Sequence, residues 1–241
     1  MHNFSEALRF IGRNGQVPGA PPLPTLVHLT LETLKIAGIG IAISVLIALP
    51  VGLWLGHVHK GSFVAINLGN IWRALPSLAV LAIGVAFLGI GLRNVELALV
   101  VLAVPPIITN AYVAIDGVDR DVVDAARGMG LTGWEILRKV EIPLGIPLIF
   151  AGIRTAALFV VSTTTIAALT GYSGSLGDII NNETSYHLSG VLGAAICIAA
   201  LALAVELVLA GVQWLMTPRG LKIKAGDDPA LTLVPAVADL A

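Results

Sequence analysis

Two ionisable side chains, Arg154 and Glu206, lie inside otherwise apolar segments of the sequence. A charged group in hydrocarbon is costly, so such a residue is a candidate for function or is neutralised by a partner. If both segments are membrane-crossing helices, each residue lies ten positions, about 15 Å of helix, from the same membrane surface. Equal depth predicts an ion pair that fixes the packing of the two helices. The alternative is a pathway that conducts a solute, in which Arg154 and its neighbour Thr155 would take part.

Residues typical of catalysis or metal binding do not occur in a recognisable arrangement. The sequence has no phosphate-binding loop of the form G-x-x-x-x-G-K-[ST], no nucleophile elbow and no H-E-x-x-H pair. The five histidines show no metal-ligand spacing, and His57 and His59 are expected to be solvated in a short loop. A single cysteine, Cys197, excludes an internal disulfide and a cysteine-based zinc site. We therefore expect this chain to bind no metal or cofactor and to catalyse no reaction.

The composition places the chain among membrane proteins. Of its 241 residues, 56% are hydrophobic and 12% are charged, whereas soluble domains carry about 25% charged residues. The net charge of −1 offers no basic surface for nucleic acid.

Five segments are long and apolar enough to cross a membrane as helices, namely residues 31–56, 74–92, 97–115, 144–170 and 190–216. The fold class predicted is therefore an all-α membrane protein with about five transmembrane helices. The proline pair 105–106 is expected to interrupt the third span. Residues 62–73 are either an amphipathic lead-in to the second span or its first turns.

A second group of candidate positions lies near the start of the second span. Arg73 precedes this span, and Pro76, followed by Ser77, is expected to break backbone hydrogen bonding early in the helix. Such a break needs neighbouring protein or a water-filled cavity. Hydroxyl residues 162–165 have the same effect in the fourth span. These positions line a pathway or serve ordinary helix packing, and both interpretations stay open.

Lysine and arginine are distributed unequally among the predicted loops. One side collects eight, and the other collects Arg9, Arg13 and Arg93. The excess predicts that the N-terminus is outside and the C-terminus is in the cytoplasm. We divide the chain into an extracytoplasmic segment 1–28, a transmembrane domain 29–217 and a cytoplasmic tail 218–241 that is expected to be disordered. The N-terminal segment lacks the apolar region of a signal peptide and is either a short interfacial helix or a flexible tail.

The polar loop, residues 116–143, interrupts the apolar sequence with six acidic and four basic residues. Asp121 is expected to cap a first helix, with Asp124 in its first turn, and Gly130 helps to end it. Residues 132–135 form a capping box for a second helix, which Pro143 is expected to stop.

One side of this loop is predicted to be apolar and to dock another protein. The residues concerned are Val122, Ala125, Ala126, Met129, Leu131 and Trp134. The alternative, an amphipathic hairpin on lipid headgroups, is disfavoured by the six acidic residues, because anionic lipid attracts polybasic segments.

The loop resembles that of permease subunits in type I ABC importers, which has the pattern Glu-Ala-Ala, three residues, Gly, nine residues, Ile-x-Leu-Pro. Here Asp124-Ala125-Ala126, Gly130 and Val140-Glu141-Ile142-Pro143 occupy those positions at the same spacing. In that family the loop contains a coupling helix that sits in a groove of the ATPase subunit. The resemblance therefore implies the type I importer permease fold.

Other segments are similar to the osmoprotectant branch of that family, which imports glycine betaine, choline, carnitine or related compounds. They are residues 73–78, 121–130 and 152–156. That branch usually has a Gly-x-Gly-Gly-Leu-Gly turn after the fourth span, whereas Ser175 replaces a glycine in residues 171–177 of this chain.

The resemblance also implies partners and a location in the plasma (inner) membrane. Expected partners are a second permease copy or a sister permease, two cytoplasmic ATPase subunits, an extracytoplasmic solute-binding protein and membrane lipid. ATP and magnesium would bind to the ATPase, not to this chain.

Three alternatives stay open from the sequence. A permease for another small solute, such as an amino acid, would share most of these features. A secondary transporter working alone is disfavoured, because five spans do not divide into two equal inverted repeats. An intramembrane enzyme needs a convergent set of reactive groups in the spans, and Arg154 with Glu206 is too little.

Overall fold

The computed structural model describes residues 2–17, 24–61, 63, 67, 69–70, 75–218 and 220. The helices in these parts are α1 His2–Gly12, α2 Leu26–His57, α3 Ser77–Leu88, α4 Leu92–Asp116, α5 Arg120–Gly128, α6 Gly133–Ile136, α7 Ile142–Ile166, α8 Gly177–Asn181 and α9 Glu183–Met216. A π-helical turn, Leu137–Glu141, joins α6 to α7, and a 3-10 turn, Ala167–Thr170, follows α7. The described residues contain no β-strand, in agreement with the predicted all-α class.

Four helical segments are long and apolar enough to cross a membrane: α2, α4, the continuous segment Gly133–Thr170, and α9. α3 has only 12 residues, so the second predicted span is shorter than expected. It starts after Pro76 and ends at Gly89, whose φ of 75° favours glycine and leaves the helical conformation. Arg73 and most of residues 62–73 lie outside the described residues.

α4 runs without a break through Pro105 and Pro106, so the predicted interruption of the third span is wrong. Prolines are tolerated in membrane helices where neighbouring groups compensate for the lost donors. The donors missing here would have bonded to the carbonyls of Val101 and Leu102. Pro105 is buried, and the Asn110 side-chain amide donates an additional hydrogen bond to the Pro106 carbonyl at 2.8 Å. The helix also begins five residues earlier than predicted, at Leu92 rather than at residue 97.

α2 and α4 approach each other closely along a row of small residues. The buried residues of this row follow one another every four positions: Gly40, Ser44, Ala48, Gly52 and Gly56. A Cβ atom at Gly52 would lie only 2.7 Å from the Ala111 Cβ, and one at Gly56 only 2.8 Å from the Tyr112 carbonyl oxygen. Small residues of this kind let membrane helices pack backbone to backbone, so α2 and α4 form a tight pair.

Residues 2–12 form a helix, as one of the two alternatives expected, and its position at the membrane interface stays a prediction. The buried face of α1 lies against α9, where the rings of Phe10 and Tyr186 meet edge to face with centroids 6.2 Å apart. α9 has a kink at His187, whose φ is 58°. Its apolar part after the kink matches the predicted fifth span.

Candidate functional site

The first helix of the polar loop, α5, is capped by Asp119 and not by Asp121 as predicted. The Asp121 backbone N–H donates to the Asp119 side chain at 2.9 Å. Asp119 has non-helical backbone angles, φ −55° and ψ 125°, as an N-cap requires. Asp121 already lies in the first turn, where its negative charge interacts favourably with the helix dipole. Asp124 is exposed and forms an ion pair with Arg127 at 3.0 Å.

The apolar residues of α5 divide between two faces, so the single apolar side predicted from the sequence is wrong. Ala126 and Val123 are buried against Val118 and Ile136 and hold the helix to the rest of the loop. Val122, Ala125 and Met129 point outwards, with Met129 75% exposed. The split follows from helical geometry, because Ala126 lies about 100° around the helix from Ala125.

Trp134, in the second helix of the loop, is also exposed, with 68% of it accessible. Leu131, which was expected in the same rim, is half-buried under the loop beside Val123 and Ala126. We call Val122, Ala125, Met129 and Trp134 the exposed apolar surface. An exposed group of large apolar residues on a structured polar loop is typical of a protein contact.

Gly130 provides the turn between the two halves of the loop. Its φ is +87°, a conformation that favours glycine. The next residue, Leu131, donates its backbone N–H to the Ala126 carbonyl at 3.2 Å and closes the C-terminal end of α5. The exposed apolar surface depends on this turn, because it sets the position of Trp134 relative to Met129.

The second helix, α6, begins with the capping box predicted from the sequence. Thr132 N–H donates to the Glu135 carboxylate at 3.0 Å, and Glu135 N–H donates to the Thr132 hydroxyl oxygen at 3.4 Å. The helix does not stop at Pro143, so that prediction is wrong. Pro143 is the second residue of α7, and the chain stays helical from the π turn through it. The loop therefore continues through a π turn into a membrane span without a hinge.

A buried carboxylate lies at the end of that π turn. Glu141 is only 1% exposed, and His57, the last residue of α2, places Nδ1 2.6 Å from its Oε2. His59 similarly contacts the last residue of α4, Asp116, at 2.7 Å. The expectation of solvation is wrong for His57, which is only 25% exposed, whereas His59 is exposed as expected. The sequence could have suggested the contact of His57 with Glu141 in part, because a carboxylate that a helix buries needs a hydrogen-bond donor, and a histidine can provide one.

Arg154 and Glu206 meet as the sequence predicted. Arg154 Nε donates to Glu206 Oε1 at 2.9 Å, and Nη2 contacts the same oxygen. Nη1 donates to Gln213 Oε1 at 2.9 Å. Gln213 escaped the sequence analysis, although it lies two helical turns after Glu206 on the same face. The guanidinium thus joins α7 to two points of α9.

Among the described residues, no hydrogen bond joins the other pathway candidates to Arg154, and Arg73 is not one of those described. Pro76 lies before α3 rather than within it, and its carbonyl accepts from Ala79 N–H at 2.9 Å. Ser77 is the first residue of that helix. The Thr155 hydroxyl donates to the Ala151 carbonyl of its own helix at 2.9 Å. A hydroxyl bonded within its own helix is compatible with ordinary helix packing. A role of these residues in a solute pathway stays a prediction.

Two polar residues at the start of α4 were missed, because the third span was predicted to begin after them. Asn94 is buried and donates to the Leu81 carbonyl at 3.2 Å, which ties α4 to α3. The Glu96 carboxylate oxygens are buried and have no hydrogen-bond partner among the described residues. The position of Glu96 directly before an apolar run could have marked it in the sequence as a candidate.

The glycine-rich turn after α7 is held from two sides. Leu176 N–H donates to the Thr33 hydroxyl of α2 at 2.9 Å, and Ser175 N–H donates to the Asp178 carboxylate at 3.3 Å. Burial raises the pKa of Asp178, and the N–H donors of Gly174 and Ser175 oppose that shift. Ser175 is buried, and its hydroxyl accepts from Gly177 N–H at 3.2 Å, so serine fits this turn.

No group of three or more His, Cys, Asp or Glu side chains suited to a metal ion occurs in the parts of the chain that the structure describes.

Residues 40–219 match the family described as binding-protein-dependent transport system inner membrane component. The chain is 38% identical over 198 residues, 82% of this chain and 91% of the relative, to the glycine betaine/carnitine/choline transport system permease protein OpuCB of Bacillus subtilis (strain 168). It is 35% identical over 198 residues, 82% of this chain and 90% of the relative, to the carnitine transport permease protein OpuCB of Listeria monocytogenes. It is 36% identical over 198 residues, 82% of this chain and 91% of the relative, to the choline transport system permease protein OpuBB of Bacillus subtilis (strain 168).

Among solved structures, the fold is similar to a chain of the inward-facing MetNI methionine ABC transporter, with a TM-score of 0.69. That match covers 80% of this chain and 96% of the other at 22% identity, so it shows the fold alone.

Proposed function

Because this chain belongs to the family of binding-protein-dependent transport system inner membrane components, we propose that it is the permease subunit of an ABC importer for a small osmoprotectant such as glycine betaine, choline or carnitine. It is a multi-pass protein of the inner membrane and a transport subunit, and ATP hydrolysis is the task of a separate subunit. The observation that carries the proposal is the identity of 35–38% to osmoprotectant permeases over 82% of the chain.

The solute class is supported by the chemistry that the named solutes share. The relatives' names give glycine betaine, carnitine and choline, each of which carries a quaternary ammonium group. A permease of this branch therefore has to pass a compact, permanently cationic headgroup, with or without a carboxylate.

The exposed apolar surface is proposed to receive the ATPase. Met129 and Trp134 are large, exposed and fixed by the Gly130 turn, which suits a groove on a partner protein. ATP and magnesium would bind to two ATPase subunits. Two permeases, either two copies of this chain or this chain with a sister permease, would form the pore within membrane lipid. A solute-binding protein would dock on the opposite side, and nothing supports nucleic acid as a partner.

The orientation proposed from the positive charges puts the N-terminus outside and the polar loop in the cytoplasm. Closure of the ATPases would then pull on α5 and α6. Since the segment Gly133–Thr170 is continuously helical, this pull reaches α7, and the contacts of Arg154 with Glu206 and Gln213 transmit it to α9.

The test is reconstitution of the complex, with its ATPase and binding protein, in proteoliposomes. We expect ATP-dependent uptake of radiolabelled glycine betaine, choline or carnitine, and stimulation of ATP hydrolysis by the same solute. Uptake of methionine or histidine instead would support an amino acid permease. Uptake by this chain alone, without the ATPase, would support a secondary transporter and contradict the proposal.

A further inference from the structure

The pairing of His57 with Glu141 joins the first spanning helix to the polar loop at a point that the proposed docking surface does not include. Glu141 ends the π turn between α6 and α7, and His57 ends α2, 84 residues away in sequence. π turns inside longer helices occur frequently at functional sites. This one turns a carboxylate into the protein, where Glu141 is 1% exposed.

The chemistry of the two groups indicates which of them donates the hydrogen bond. An ionised carboxylate only accepts hydrogen bonds, so with Glu141 ionised the donor is His57 Nδ1, 2.6 Å from Oε2. A hydrogen bond to a charged, buried acceptor is stronger than one between neutral groups. Loss of the donor would leave the Glu141 carboxylate buried without its partner.

The opposite edge of the same ring lies against the start of α6. A Cβ atom at Gly133 would be 3.3 Å from His57 Nε2, so the absence of a side chain there makes room for the ring. His57 therefore touches both ends of the segment formed by α6 and the π turn. His59 and Asp116, at 2.7 Å, add a more exposed tie between the ends of α2 and α4.

We propose that His57 is a positioning residue for energy coupling: it ties α2 to the polar loop, so that displacement of the loop moves α2 and α4 together with α7. The inference rests on the proposed function. The row of small residues between α2 and α4 makes these helices a tight pair, and a pull at the end of one therefore acts on both. Without His57, the direct connection between the loop and the end of α2 would be lost, and the loop would reach α2 and α4 only through the packing of α7.

The test uses the complete reconstituted complex and measures ATP hydrolysed per solute imported. In His57→Leu the tie is lost, and we expect this ratio to rise by about tenfold, the size expected for one hydrogen bond to a charged group. In His57→Asn the side-chain N–H occupies the place of Nδ1–H, and we expect a ratio within about twofold of the unchanged protein. His28→Leu, at an exposed position on the same helix, is the matched control and should not alter the ratio.

A double variant separates this role from a merely structural one. The variant with both His57→Leu and Glu141→Leu removes both polar partners. It should destabilise the fold less than His57→Leu alone, because no buried carboxylate is left without a partner. We expect this variant to assemble, to retain its ATPase and still to show the raised ratio. A normal ratio in the double variant, or in His57→Leu, would overturn the inference. Failure of the proposed function is recognised separately, because the complex without any substitution would then import no osmoprotectant.

Discussion

At the scale of single residues, the structure shows how few side chains control the shape of the polar loop. Asp119 starts α5, Gly130 ends it, and Thr132 starts α6. The spacing of Thr132 and Glu135 was sufficient to predict their capping box, since both partners lie within one turn. It was not sufficient to choose Asp119 over Asp121 as the cap, because two nearby aspartates satisfy the same local preference.

Gly130 gives the sharpest test of the loop at this scale. Gly130→Ala places a Cβ in open space but at φ +87°, so its effect comes from backbone strain of about 1–2 kcal/mol. We expect about tenfold less ATPase to co-purify with this variant. Gly128→Ala has open space and an ordinary helical φ, so it should co-purify normally. Equal losses in both variants would contradict a role for the turn.

The pair of Arg154 and Glu206 gives the second test. Glu206→Gln leaves the guanidinium without its counter-charge, and we expect a loss of about 2 kcal/mol, below the ~3–5 kcal/mol typical of a fully buried pair. The smaller value is chosen because 31% and 24% of the two side chains are exposed.

The measurement is thermal unfolding in detergent of Glu206→Gln, Arg154→Gln and the double variant, which together form a double-mutant cycle. Additive losses in the cycle would show that the pair does not stabilise the contact between α7 and α9.

At the scale of elements, the sequence predicted the long apolar helices but not their junctions. Hydrophobic length identifies a span from the composition of one segment. The continuation of α6 through Pro143, the unbroken course of α4 through Pro105, and the contact of His57 with Glu141 all depend on neighbours that are distant in sequence. The ion pair of Arg154 with Glu206 is the exception, because helix depth can be counted along the chain.

The close packing of α2 on α4 predicts a large difference between two glycines of the same helix. Gly52→Ala would put a Cβ 2.7 Å from the Ala111 Cβ and 2.9 Å from the Ile108 carbonyl oxygen. The helices must then separate, and we expect a loss of about 1–3 kcal/mol. Gly38→Ala meets no atom within 4 Å and should not lower stability, because alanine is the better helix former. Thermal unfolding of both variants, compared with the unchanged protein, checks this.

At the scale of the whole molecule, the unequal charge distribution predicts which side of the membrane each end occupies. A background with Cys197→Ser leaves no thiol. Phe4→Cys and Arg127→Cys then place one at exposed positions in α1 and the polar loop. With a membrane-impermeant maleimide on intact cells, we expect labelling at position 4 and, at position 127, labelling only after permeabilisation. The reverse pattern would invert the orientation.

The uninterrupted segment Gly133–Thr170 has a mechanical consequence. Its 38 residues correspond to a rod of about 57 Å, with the polar loop at one end and the glycine-rich turn at the other. If such a rod tilts by about 10° around its middle, its two tips shift by about 5 Å in opposite directions. Such a tilt would narrow the pore at one membrane surface and widen it at the other. The length and stiffness of a single helix could therefore link closure on one side to opening on the other.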